Sequence, residues 1–184
     1  MTTIRNIKTN NICVVFFSLI FIFNACKKAP CSENYIPGEI LLTFEDSATL
    51  IETFELIDSF NLSILLLSNF DYYLNNNNTP LDTIINTFES KSYLTLISHT
   101  LTTGSQTTEF NLAFNNFDLV SNSDWFTTVA LYQLTEKISN LAFMKFGTIK
   151  VSESEEDYWI EILKKHNNVA SASRNGHMCI SYCQ

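Results

Sequence analysis

"YIPGEILLTFED", residues 35–46 of the 184-residue chain, decides how the rest of the sequence is read. Ile40, Leu42 and Phe44 alternate with Leu41 and Thr43, the two-residue period of a strand with one buried face. Asp46 or Ser47 can then cap a helix in which Leu50, Phe54 and Ile57 recur at helical spacing. The chain therefore opens on a strand followed at once by a helix.

Moving outward, "LSILLL" (62–67) is an apolar run short enough for a buried strand. "NNNNTP" (75–80) breaks the chain, and Thr79 as cap with Pro80 at the first helical position restarts it as a helix striped by Leu81, Ile84, Ile85 and Phe88. "YLTLISHTL" (93–101) and "TEFNLAFNNF" (108–117) flank a turn around Gly104 and read as a hairpin. A third helix is expected from Ser123, with Phe126, Ala130, Leu134 and Ile138 on one side, then a strand over 142–151. The last helix has Ser154 as cap, acids Glu155, Glu156 and Asp157 at its positive end, and Lys164, Lys165 and His166 at its negative end. Trp159, Ile162 and Leu163 form its apolar stripe, and an extended segment runs on from Val169 towards Tyr182.

Strung together, these elements give the βαββαβ order of ferredoxin-like sheets twice, one copy nested in the other. The outer copy uses the first and last units. The inner one uses strands near 62–69, 93–101, 108–117 and 142–151. The expected fold is α+β: a ferredoxin-like βαββαβ sheet with helices on one face, a single domain over 37–184, enlarged by a central αββα insertion at about 71–141.

Composition supports a packed domain, since 46% of residues are hydrophobic and only 4 are Gly and 3 Pro. The net charge is −8 and the pI about 4.8. Phosphate backbones demand clustered Lys and Arg, and the chain has only pairs such as Lys27–Lys28, so nucleic acid is excluded as a partner class.

The amino terminus has a different character. Arg5 and Lys8 precede the apolar core "ICVVFFSLIFIF" (12–23), too short to span a bilayer and of signal-peptide length. It ends in "FNAC" (23–26), which resembles the processing site of bacterial lipoproteins, with small Ala25 before Cys26. The resemblance implies a signal peptide over 1–25, lipidation of Cys26 and a tether over 26–36. Removing 1–25 takes away two cations and no acid, so acyl chains, not charge, would hold the domain at a membrane. Lys27 and Lys28 in place of an acidic run point to the periplasmic face of an outer membrane.

Both ends of the remaining chain resemble the N-terminal prodomains of subtilisin-like proteases (the fervidolysin-like, peptidase-inhibitor propeptide fold). "YIPGEILLTFED" is similar to the prodomain opening, where a Pro-Gly pair precedes the first strand. "YWIEILKKHNNVASASRNG" (158–176) is similar to its closing helix and last strand. The match covers about 35 residues at each end of the mature chain and carries no catalytic group, so it implies fold more than function. In that family the prodomain chaperones and inhibits its protease through an extended C-terminal tail. This chain is expected to act without a protease of its own, and its residues 177–184 read "HMCISYCQ".

In a ferredoxin-like sheet the first and last strands are neighbours, which would bring Cys31 near Cys183 or Cys179; the first pairing is preferred and the second stays open. A bridge closing about 150 residues could add ~4–5 kcal/mol in the chain-entropy model. Cys179 and Cys183 lie ~13 Å apart along a strand, too far to bridge each other. His177, Cys179 and Cys183 share a strand face, but the spacing is not that of structural zinc, and no metal or other cofactor is expected. No G-x-S-x-G, H-E-x-x-H, P-loop or G-x-G-x-x-G occurs, so no catalytic residue is assigned. The expected function is a non-enzymatic, envelope-anchored binding module with a protein partner. A prodomain-like inhibitor or folding helper of a subtilisin-like protease is the alternative.

Overall fold

Alternation over residues 40–44 produces β1 (Tyr35–Phe44), in which Ile40, Leu42 and Phe44 are buried. The computed structural model describes residues 35–75, 79–102, 107–138 and 144–176. After β1 come α1 (Leu50–Ser59), β2 (Ser63–Asn75), α2 (Leu81–Glu89), β3 (Leu94–Thr102) and β4 (Thr107–Asn115). Then follow α3 (Leu119–Tyr132), β5 (Leu134–Glu136), β6 (Phe146–Lys150), α4 (Glu156–Leu163) and β7 (Val169–Gly176). The fold is α+β, with four helices and a 7-stranded sheet among the described residues.

All strand pairs are antiparallel, in the order β3-β4-β2-β6-β1-β7, with β5 alongside the far end of β2. Each helix carries the chain across one intervening strand: α1 takes β1 past β6 to β2, and α4 takes β6 past β1 to β7. Among the described strands only β3 and β4 are consecutive in the chain and paired, as in a hairpin. Helical crossovers are what strands need when a neighbour already occupies the adjacent place.

β2 is the shared strand. Ser63–Ser68 pairs with β6, Leu66–Asn75 pairs with β4, and both registers shift once. At the second shift Asn69 adopts φ +65°, a left-handed conformation that Asn tolerates better than most residues. The two shifts let Ile64, Leu67, Phe70, Tyr72 and Leu74 all reach the core despite unequal spacing.

One apolar cluster joins the strand residues to Phe54 and Ile57 of α1, Ile84 and Phe88 of α2, Trp125 of α3, and Ile160 and Leu163 of α4. Trp125 is its largest member, with ring contacts to Tyr72 at 5.1 Å, Phe114 at 5.2 Å and Phe88 at 5.8 Å. Such edge-on pairs add to simple burial. Gly147 lies opposite both Leu42 and Leu67, and a Cβ there would stand 2.7 Å from Leu67 Cδ2, so a side chain at that point would displace the buried Leu67.

Several boundaries differ from those expected. Thr49, not Asp46 or Ser47, caps α1, in a reciprocal capping box with Glu52. The strand expected near 62–69 runs on to Asn75, so position 71, taken as the start of the central insertion, lies within β2. α3 starts at Leu119 behind the Asp118 cap, four residues before Ser123. Its buried residues are Trp125, Thr128 and Tyr132, whereas Phe126 and Ile138 are exposed and Leu134 belongs to β5. The apolar content of this helix is spread around its circumference, and tertiary contact with the aromatic core selects the buried side. Pro80 occupies the cap position of α2, and Glu155 that of α4. In α4 Trp159 and Ile162 are half-buried while Glu156 is buried.

That burial ties the first strand to the last helix. Gly38 has φ +75°, and its N–H donates to Glu156 Oε1 at 2.7 Å, holding the carboxyl below the usual carboxylate range. A Cβ on Gly38 would meet Val151 O at 2.9 Å. Gly38→Ala is therefore expected to lower the unfolding free energy by about 1–3 kcal/mol in urea denaturation, a site of backbone strain losing its only comfortable occupant. An unchanged denaturation midpoint would contradict this.

Candidate functional site

Among the described residues polar chemistry or surface access gathers at several places, of which the first is interior. Lys145 is 1% exposed, and its Nζ donates to Ala48 O at 2.6 Å and Asp46 O at 3.3 Å. It also lies 3.8 Å from Glu136 Oε1 and over the Phe70 ring. Glu136 accepts from the first amide of α1, Leu50 N, at 2.9 Å and from the Tyr72 hydroxyl at 3.2 Å. Trp125 Nε1 in turn donates to Tyr72 Oη. Burial pushes the Glu136 carboxyl up, opposed by the Leu50 amide, Lys145 and Tyr72. Burial also pushes the Tyr72 hydroxyl up, with the Glu136 charge adding to it.

This network satisfies a helix amino terminus and the loop before it, and its members point at one another. It is a clamp between α1, β5 and the chain entering β6. In Lys145→Met the carboxylate would lose its cation and two carbonyls their donor, at a cost of about 3–5 kcal/mol. Glu136 would then shift further up, and a carboxyl with a raised folded-state pKa favours folding at low pH and opposes it as pH rises. The deficit of the variant is accordingly expected to be smaller at pH 5 than at pH 8 in thermal unfolding. A deficit independent of pH would contradict the pairing.

The second place is a groove of about 540 Å³ between α1, the start of β2 and the β4–α3 connection. Phe54 and Phe117 meet edge-on at its floor, with centroids 5.7 Å apart. Leu62, Leu65, Leu119 and Val120 supply apolar walls, while Asp58 and Asp118 are its charged lining residues. Leu119 is 63% and Val120 77% exposed, although both begin a helix of a domain with a large core.

The third is a smaller cavity of about 220 Å³ on the sheet face opposite the helical core, between β2, β4 and β3. The fourth is the outer side of α3, where Leu131 is 67% exposed and Phe126 37%.

The residues singled out in the sequence fall elsewhere. Cys26, Cys31, Cys179 and Cys183 lie outside the described residues, as does His177. His99 is exposed on edge strand β3, with its ring 6.5 Å from Phe110. His166 packs on Phe60 at 5.4 Å. Asp157 pairs with Arg174 at 2.8 Å, and Glu155 accepts from Trp159 Nε1. The groove joins two short runs, 62–65 and 116–120, that are remote from each other in sequence, and the cavity residues come from three separate strands. Their signal is the unusual exposure of Leu119 and Val120 and the pairing register of β2, β3 and β4, both of which require coordinates.

Among the described residues no group of three or more His, Cys, Asp and Glu side chains is placed to hold a metal ion. No described helix is long and apolar enough to cross a membrane. Neither family models, curated proteins nor solved structures give a match to this chain.

Proposed function

We propose that the chain is an envelope-anchored lipoprotein that acts as a non-enzymatic binding module, and that the groove at the start of α3 receives a basic, apolar segment of a protein partner. The observation that carries this reading is the groove itself. Its walls are aliphatic and aromatic, the charged lining residues among those described are both carboxylates, and the whole chain carries −8. A cationic amphipathic segment complements both properties. The ion pairs Lys91–Asp124 and Lys137–Glu109 and the Glu136 clamp hold the fold, which supports recognition over catalysis.

We read the sheet as two nested ferredoxin-like units sharing β2 and β6. The orders β7-β1-β6-β2 and β6-β2-β4-β3 support this, because each has a first strand flanked by the third and fourth. The outer unit also favours a second reading, a prodomain-like inhibitor of a subtilisin-like protease. Absence of inhibition when the chain is titrated against such proteases would remove it for those enzymes.

The anchor is tested by labelling cells with a palmitate analogue. Label and membrane association are expected in the wild type and lost in Cys26→Ala; retention of both in the variant would rule out Cys26 as the lipid site. The groove is tested with a synthetic Lys/Leu amphipathic peptide as probe, followed by amide chemical shifts. Shifts at Phe117, Leu119 and Val120 are expected, with affinity about tenfold weaker in Leu119→Lys. Equal binding of a Glu/Leu peptide, or shifts elsewhere, would contradict the reading.

A further inference from the structure

The sheet face turned away from the described helices carries a polar grid with a cavity in its middle. One row across the strands is Asp71 of β2, Asn111 of β4 and Ser98 of β3; the next is Tyr73, Glu109 and Thr100. Asn69, at the left-handed bulge, extends the grid by one more amide. The cavity of about 220 Å³ is lined by Asn69, Asp71, Ser98, Thr100, Glu109 and Asn111, with Ile97 as its apolar wall.

The lining is fixed from behind. Asp71 is only 7% exposed, and Asn111 Nδ2 donates to its Oδ1 at 2.5 Å. Lys137 Nζ holds Glu109 Oε1 at 2.5 Å and lies over the Tyr73 ring, while the Lys137 backbone N–H donates to the Asp71 backbone carbonyl. Asn69 Nδ2 donates to Met144 O at 2.9 Å, leaving its Oδ1 outside that bond. A buried carboxylate in a cavity, positioned by an amide, is an arrangement that binding sites need and a plain sheet surface does not.

From this geometry we infer a second binding site, for a neutral polyhydroxylated ligand of the size of a single sugar ring. Charge selects the class. Lys137 neutralises Glu109, so Asp71 is the one uncompensated carboxylate of the described lining: it disfavours anions and is too little for a hard cation that prefers several. Hydroxyl groups both donate and accept, and the lining offers carboxylate acceptors beside amides and hydroxyls that do both. Ile97 suits the C–H face of a sugar ring. This site is separate from the groove, on the other side of the sheet, and neither depends on the other.

The test uses the full chain in mild detergent, isotopically labelled, titrated with glucose, galactose, N-acetylglucosamine and myo-inositol, and separately with calcium chloride. Saturable shifts at Asn69, Asp71, Ser98 and Asn111 with at least one of the neutral probes are expected. Affinity should fall about tenfold in Asp71→Asn, where an acceptor-only group becomes an amide. Thr100→Val, on an exposed strand position, should weaken binding without altering the fold. Shifts with calcium alone, shifts confined to other parts of the surface, or no shifts with any of the four probes would each overturn the inference.

Discussion

Everything in this structure hangs on one strand being hydrogen-bonded along both edges. β2 gives its first half to β6 and its second half to β4, and over Leu66–Ser68 it serves both at once. A one-residue slip would send every one of its side chains to the wrong face. The left-handed Asn69 and the earlier shift between Ile64 and Leu66 keep the phase, so that core residues remain on the core side over the full length. The region between β2 and β6 is thus woven into the sheet and is not an appendage on it.

Around that strand the molecule divides its work by face. The helical side holds aromatic contacts centred on Trp125, with Tyr72, Glu136 and Lys145 as the polar group inside it. Buried ionic groups add little net stability over apolar substitutes, but each becomes costly when its partner is removed. Here they define where α1 begins and where the chain enters β6. The opposite side of the sheet carries Leu41, Leu66 and Phe146 where β1, β6 and β2 pair, and turns polar toward the β3 edge with Asp71, Asn111, Ser98 and Thr100, which is where the polar cavity lies.

How much of this could be read from the sequence depends on whether a local rule was in force. β1, the β3–β4 hairpin and the acidic start of α4 follow alternation, turn chemistry and helix-end charge, and those rules need no partner. β2 did not announce its length, because two bulges break its alternation and leave Leu65, Leu66 and Leu67 looking like an undirected apolar run. α3 was displaced by four residues because Leu119 and Val120 sit on a solvent-facing turn, where an apolar pattern misleads. β5 is three residues long and exists only because β2 offers it an edge. Neither surface site was legible, since Asp71, Asn111 and Ser98 meet only through strand register.

The central claim is that β2 makes one cooperative unit of both halves of the sheet, and native-state hydrogen exchange tests it most directly. Amides of β4 and of β6 that bond to β2 should open with the same free energy, equal to that of global unfolding and falling together with added denaturant. If the β4 amides instead exchanged through a smaller opening while β6 and β1 stayed protected, the β3–β4 region would be an independent unit and the account of β2 would be wrong.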